Sequence, residues 1–262
     1  MANQRMQCNG RHLFDCWPEI AERLRRARHV ALFLDFDGTL APLRADPEEV
    51  TVRDPMQVVL RRLARHRRIT VAVISGRRRA DLRKRLNVRG VRCFGLHGWE
   101  SGEQKPLSRA QQDALRQVRH RLAGRLAALG CIRLEDKTFT LAVHDRCGSR
   151  HAARRLRAIL RSTLAPFAAH LRLLQGHRIW EVLPREIRGK GAAARALLPQ
   201  LPPGTLPLYA GDDATDESAF RALARGVTVC VGKRQATRAR YRLRSPIEVR
   251  RFLEKLEAAV AS

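Results

Sequence analysis

Five consecutive apolar residues, Val30-Ala31-Leu32-Phe33-Leu34, stand out from a mixed N-terminal region and stop at Asp35. A run this short, apolar on both faces and closed by polar turn residues, predicts a central parallel strand. Ile69-Thr70-Val71-Ala72-Val73-Ile74 is a second such run and ends at Ser75-Gly76-Arg77. Between them, Asp54-Pro55 predicts an N-cap and first-turn proline for a helix that carries Val58, Val59, Leu60 and Leu63. Strand, helix, strand in this order implies a βαβ unit and hence a parallel sheet. Upstream, residues 17–28 predict an amphipathic helix with Pro18 near its start and Ile20 and Leu24 on one side.

The rhythm changes after a third short strand near Val91–Phe94. Residues 108–129 predict a long arginine-rich helix, 132–135 and 139–144 a strand pair, and 149–162 another helix. Residues 171–174 and 178–183 then predict a hairpin through Gln175-Gly176-His177. Helix 190–198, strand Leu206–Ala210, helix 215–225, strand Val227–Val231 and helix 246–260 restore the βα alternation. The expected fold is α/β, a doubly wound, Rossmann-like parallel-sheet core split by a smaller α+β insert. The expected divisions are an N-terminal extension over 1–29, a core over 30–102 and 185–262, and the insert over 103–184.

Composition narrows the functional classes. The 262 residues are 44% apolar, enough for a real core, and no apolar run nears the roughly 20 residues that span a bilayer. The first 29 residues hold no uninterrupted apolar stretch of the secretory kind, so the cytoplasm is the expected location and no membrane partner is expected. Six scattered cysteines without a CxxC pair predict reduced thiols, several buried in strands, over a disulfide framework or a zinc site. The formal charge of +27 points toward polyanions, yet only six of the 52 basic residues are lysine, and the arginines run through nearly every expected helix. Runs such as Arg77 to Arg85 read as solvated faces. With 5% aromatic residues there are few stacking platforms, so no specific nucleic-acid partner is expected. Such charge steers phosphorylated substrates instead.

The candidate chemistry sits at the carboxyl ends of expected core strands, where open α/β sheets place their ligands. Asp35 and Asp37 follow the first strand and Ser75 the second. Gly211-Asp212-Asp213-Ala214-Thr215-Asp216-Glu217 follows the strand at 206–210, and Lys190 opens the helix before it. Each cluster alone has an ordinary structural explanation as a turn, a capped helix or a surface charge. Together, four or more carboxylates at one site repel, and a hard divalent cation, Mg²⁺, resolves the conflict. Asp35, Asp37, Asp212 and Asp213 are its expected ligands, and the sequence leaves open whether Asp213 or Asp216 touches the metal directly. Phosphate monoesters resist hydrolysis so strongly that enzymes supply rate factors of up to ~10²¹, and an aspartyl-phosphate splits the task into two easier steps. Asp35 is the expected nucleophile and Asp37 the general acid, then base. Gly38, Thr39, Ser75 and Gly76 are expected to hold phosphate oxygens. Lys190 is expected to offset charge that develops in transfer.

These residues resemble the four motifs of the haloacid dehalogenase superfamily of phosphatases. Asp35-Phe36-Asp37-Gly38-Thr39 matches the first, Ser75 in Val-Ile-Ser-Gly-Arg the second, Lys190 in Arg-Gly-Lys-Gly the third, and Gly211-Asp212-Asp213 with Asp216 the fourth. A narrower resemblance, over about residues 30 to 258, is to the trehalose-6-phosphate phosphatases. It rests on Leu34 to Leu43 with Asp46-Pro47, on Gly95-Leu96-His97-Gly98 with Glu100, and on Gly211 to Glu217. In the insert it rests on Glu135-Asp136-Lys137, Leu141 to His144 with Arg146, and Glu181-Val182 with Pro184. The resemblance implies a substrate-specificity cap at 103–184. There Glu135, Lys137 and Glu181 would bind sugar hydroxyls, joined by His97 and Arg77 of the core. Hydrolysis of trehalose 6-phosphate is the implied reaction, with a trehalose-phosphate synthase as a possible pathway partner. Sucrose phosphate and a glycosyl-phosphoglycerate are the rival substrates, because relatives that use them share the core. Trp99, Asp145 and Thr138-Phe139-Thr140 depart from the family pattern. Two other classes make different demands. A basic nucleic-acid-binding protein predicts steep salt dependence and has no use for these carboxylates. A silent regulatory domain would be expected to lack Asp35 or Asp37.

Overall fold

The computed structural model describes residues 10–44, 46–102, 106–127, 129–146, 149–176, 178–233 and 236–261. Residues 1–9 of the extension, Cys8 and Cys147, the expected insert start at 103, and His177 of the hairpin turn lie outside the described residues. Eleven strands and eight helices follow in order among the described residues: β1 (Arg11–His12), α1 (Trp17–Arg26), β2 (Val30–Leu34), α2 (Asp54–Arg65), β3 (Ile69–Ile74), α3 (Arg79–Leu86), β4 (Arg92–Phe94), α4 (Arg109–Leu126), β5 (Ile132–Asp136), β6 (Leu141–Asp145), α5 (Arg150–Leu164), β7 (Leu171–Gly176), β8 (Ile179–Pro184), α6 (Lys190–Leu197), β9 (Leu206–Gly211), α7 (Glu217–Ala222), β10 (Val227–Val231), β11 (Tyr241–Leu243) and α8 (Pro246–Ala261).

The chain divides into two compact units, Met1–Ser101 with Gly189–Ser262, and Gly102–Arg188. The first carries a seven-stranded parallel sheet in the order β1-β11-β10-β9-β2-β3-β4. Its central strands are buried on both faces, and their period of two decides which layer each residue joins. Val30, Leu32 and Leu34 of β2 pack into the larger apolar layer with α1, α2, α3 and α8. Ala31 and Phe33 face the opposite layer with Ala194 and Leu197 of α6 and Ala219 and Phe220 of α7. The chain runs outward from β2 through β3 to β4, then returns on the other side of β2 with β9. The crevice between the carboxyl ends of β2 and β9 is therefore the topological switch point.

Two features differ from the sequence expectation. Helix α2 starts at Asp54 itself, with Arg53 as its extended cap residue and no side-chain cap, while Pro55 keeps its first-turn place. Asp54 instead puts a carboxylate in the first turn, where the helix dipole favours it. The N-terminal extension is also more than a leading helix. Its segment β1 adds to the sheet edge beside β11, and Leu13, Ile20 and Leu24 are fully buried. Neither strand carries a pattern of its own, being two and three residues long.

The second unit is a four-stranded antiparallel sheet, β5-β6-β8-β7, backed by α4 and α5. Ser108 caps α4 through a reciprocal bond with Gln111, and Ser149 caps α5. Cys131 in this unit is disulfide-bonded, which corrects the expectation of reduced thiols at that position. Cys16, Cys93 and Cys230 are buried thiols, as expected. No described helix is long and apolar enough to cross a membrane.

Candidate active site

Asp35 is the first residue past β2, its backbone N–H bonded to the carbonyl of Ala210 on β9 at 2.9 Å. That bond seats it in the switch-point crevice. Its side chain is buried, and its Oδ1 accepts from Lys190 Nζ at 2.7 Å. The same ammonium donates to Asp216 Oδ1 at 2.8 Å, which also accepts from the Tyr209 hydroxyl at 2.7 Å. Asp216 Oδ2 accepts the backbone N–H of Asp213 at 2.9 Å. Lys190 is thus gripped between two carboxylates from different segments at the first residue of α6. Burial opposes its charge, but Asp216 and Asp35 outweigh that and raise its pKa.

Asp35, Asp212 and Asp216 bring one oxygen each within 4.8 Å of one another. Burial, then the fields of Asp35 and Asp216, push the Asp212 carboxyl up to about 10. Burial pushes Asp35 up to about 7, with Lys190 opposing and Asp216 reinforcing the rise. Three carboxylates face one ammonium, so two negative charges are unbalanced when all are ionised. A divalent cation with a preference for oxygen ligands fits that deficit. Both Asp216 oxygens already accept protein hydrogen bonds, so Asp35 and Asp212 are the better placed ligands.

Close approach is secured by two glycines. Gly38 has a φ of 79°, and a β-carbon there would collide with the Asp212 carboxylate. A β-carbon on Gly211 would collide with the carboxylate of Asp216. Thr39 is fully buried, with its hydroxyl unpartnered, an orphan donor of the kind a phosphate oxygen satisfies. Ser75, at the end of β3, accepts the Arg77 N–H on its hydroxyl at 3.1 Å; Gly76 lies between them in the same turn. The Ser75 carbonyl receives the N–H of His97 at 2.8 Å. His97 is buried and follows Leu96 with left-handed φ values of 46° and 58°.

Asp37 does not join the carboxylate cluster. Both its oxygens are engaged by Arg77, Nε at 2.8 Å and Nη2 at 2.7 Å, a forked pair. Arg77 donates further to Asp81 at 3.0 Å and to the Pro47 carbonyl at 2.8 Å, and it lies over the Phe36 ring. Arg85 binds Asp81 and the 48–50 backbone. With side chains 11% and 10% exposed, Arg77 and Arg85 are embedded, which corrects the reading of a solvated face at these two positions; Arg78, Arg83 and Lys84 of the same run are exposed, as expected. Burial opposes the Arg77 charge, and Asp37 and Asp81 raise its pKa in spite of it. Asp213, expected as a metal ligand, falls outside the carboxylate cluster among the described residues, whereas Asp216 falls inside it. The Asp-Asp-x-x-Asp spacing carried that signal, because one helical turn returns Asp216 to the strand end.

In the second unit, strand register places Glu135 opposite Ala142 and Ala142 opposite Glu181. The two glutamates therefore share one face across a small residue. Glu135 accepts from His144 at 2.7 Å, and the hydrogen bond to His144 lowers its pKa against the effect of burial. Lys137 Nζ donates to Glu181 at 3.0 Å in a buried pair, and its charge also helps to lower the Glu135 pKa.

An aspartate-lysine-carboxylate cluster at the switch point of a parallel sheet, in a chain that also carries a separate α+β unit, fits a haloacid dehalogenase-like fold. The model of the trehalose-phosphatase family matches residues 33–247. Among relatives, a probable trehalose-phosphate phosphatase of rice (Oryza sativa subsp. japonica) is 31% identical over 268 residues, covering 92% of this chain and 72% of that protein. A Mycobacterium tuberculosis protein described as an uncharacterized glycosyl hydrolase is 36% identical over 253 residues; the match covers 90% of this chain but only 19% of that longer protein. The solved C-terminal domain of a Candida albicans trehalose-6-phosphate phosphatase superposes with a TM-score of 0.82 at 21% identity, covering 96% of this chain and 99% of that one. The chain belongs to the trehalose-phosphatase family.

Proposed function

We propose that the protein hydrolyses trehalose 6-phosphate to trehalose and inorganic phosphate through a phosphorylated Asp35. The observation that carries the chemistry is the buried Lys190 ammonium holding Asp35 and Asp216 together. It fixes the rotamer of the nucleophile and keeps a positive charge where the transferring phosphoryl group is most anionic. An Asp35 oxygen attacks phosphorus, the bond from phosphorus to the sugar oxygen breaks, and Asp37 delivers the proton that oxygen needs. Asp37 then takes a proton from the water that cleaves the acyl-phosphate, which releases phosphate and restores Asp35. Asp35 and Asp212 would hold Mg²⁺, which would offset the charge of the phosphoryl oxygens. Thr39 and Ser75, with the backbone of Gly38 and Gly76, hold the phosphate.

The sugar assignment rests on family membership and on the polar row Glu135, Lys137, Glu181 and His144 of the second unit, which suits a polyol. A synthase upstream in the same pathway and a cytoplasmic location belong to this reading and rest on sequence. The test is phosphate release from a panel of sugar phosphates, including sucrose phosphate and glucosyl-phosphoglycerate, with Mg²⁺ and with chelator. Trehalose 6-phosphate is expected to be preferred, with activity lost on chelation and in Asp35→Asn. Activity that survives either treatment refutes the mechanism; preference for another sugar refutes only the substrate.

A further inference from the structure

An unbroken run of opposite charges leads away from Asp37. Arg77 forks both Asp37 oxygens; Asp81 Oδ2 accepts from Arg77 Nη1 at 3.0 Å; Asp81 Oδ1 accepts from Arg85 Nε at 2.7 Å; and Arg85 Nη2 meets the Glu48 carboxylate at 2.5 Å. Residues 77, 81 and 85 recur every four positions, so one stripe of α3 and its entry turn carries the three central members. The Pro47 and Val50 carbonyls brace the two guanidinium groups from the other side. Two nearly buried arginines therefore share one carboxylate, that of Asp81.

We propose that Asp81 is a positioning residue for the acid/base carboxylate Asp37, acting through Arg77; this rests on the reading of Asp37 as general acid and base. A guanidinium held only by Asp37 turns with it. Anchored by Asp81 and the Pro47 carbonyl, Arg77 instead offers a fixed fork that sets the plane of the Asp37 carboxyl. Proton delivery demands that plane, because the acid must stand within about 2.6–3.2 Å of the leaving oxygen. Asp81 itself touches Arg77 and Arg85, not the Asp35, Asp212 and Asp216 cluster, so its loss acts on proton transfer ahead of phosphoryl binding.

The experiment measures kcat/KM for Mg²⁺-loaded enzyme on trehalose 6-phosphate and on aryl phosphates of falling leaving-group pKa, from phenyl to dinitrophenyl phosphate. General acid catalysis is worth about 10²–10⁴-fold, and mispositioning removes part of it. Asp81→Asn is expected to lose about 10–100-fold on trehalose 6-phosphate and phenyl phosphate and under about 3-fold on dinitrophenyl phosphate, whose anion leaves without a proton. The plot of log kcat/KM against leaving-group pKa steepens, and Asp81→Glu recovers much of the loss. An equal loss on every substrate means a structural role and overturns the proposal, as does no loss at all. Where Asp81→Asn does not fold, Arg77→Lys carries the same test, since an ammonium cannot fork a carboxylate. Asp37→Asn separates the two readings. If it leaves the slope unchanged, the acid/base reading of Asp37 fails; if it steepens the slope while Asp81→Asn does not, only the role of Asp81 fails.

Discussion

The Lys137–Glu181 pair joins two residues expected at the sugar, and its burial makes a quantitative prediction. Their side chains are 9% and 6% exposed, with Nζ and Oε1 3.0 Å apart. A surface pair of this length contributes about 0–1 kcal/mol. A buried one behaves asymmetrically: removing one partner costs about 3–5 kcal/mol because the other charge is stranded, whereas replacing both can be close to neutral. Glu135 also acts on Lys137 and Arg172 feels Glu181, so neither charge is fully stranded, and Lys137→Met and Glu181→Gln are each expected to lower unfolding free energy by about 2–3 kcal/mol, below that range. The double variant should lose less than the sum, with a coupling energy of about 1–2 kcal/mol. The assay is denaturant unfolding with unchanged m-values, with amide exchange on β6 and β8 to locate the loss. Single losses below about 1 kcal/mol that simply add would refute the buried-pair argument. The cycle also separates fold from recognition. The double variant should regain stability yet stay impaired in kcat/KM on trehalose 6-phosphate, with aryl phosphate turnover retained.

Three further outcomes are expected. Gly38→Ala places a side chain at a φ of 79° against Asp212; the backbone strain is about 1–2 kcal/mol, and displacement of the carboxylate should cut kcat/KM by about 10²-fold in protein that still folds. Mg²⁺ should raise Tm, by the equivalent of about 2.7 kcal/mol at a hundredfold excess over Kd; Asp212→Asn should abolish the shift, and a wild-type Tm indifferent to Mg²⁺ would contradict the ligand assignment. The Glu135 carboxyl is held below its ordinary 4.5 by the His144 hydrogen bond, so its stabilisation is complete above about pH 4.5 and disappears as pH falls through the lowered folded value. Comparing the wild type with His144→Gln across the acid limb of a stability–pH curve should isolate that contribution, and parallel curves would count against it.

The placement of the candidate residues was legible because open parallel sheets gather ligand-binding groups at strand ends. Once Val30–Leu34 and Leu206–Ala210 read as buried strands, Asp35 and Asp212 had to follow them, and topology placed those strands side by side. Lys190 was legible for a similar reason, as the first residue of a helix that packs on the same sheet. Asp216 was visible as part of a motif but not in its role, since only the fold shows its two oxygens committed to Lys190, Tyr209 and Asp213. The edge strands β1 and β11 were illegible because each exists only by pairing with a neighbour.

Sequence alone therefore determined what local pattern can encode: which segments are strands or helices, which faces are apolar, and which acidic segments follow the central strands. Tertiary structure decided what depends on partners far along the chain. It turned Arg77 and Arg85 from solvated charges into embedded clamps, drew Asp37 away from the cluster its spacing suggested, and brought Lys137 onto Glu181 in a buried pair. The physical reason is common to all three. A side chain's charge is a local property, but the energy of that charge is set by burial and by the nearest opposite charge, and both are known only when the chain has folded.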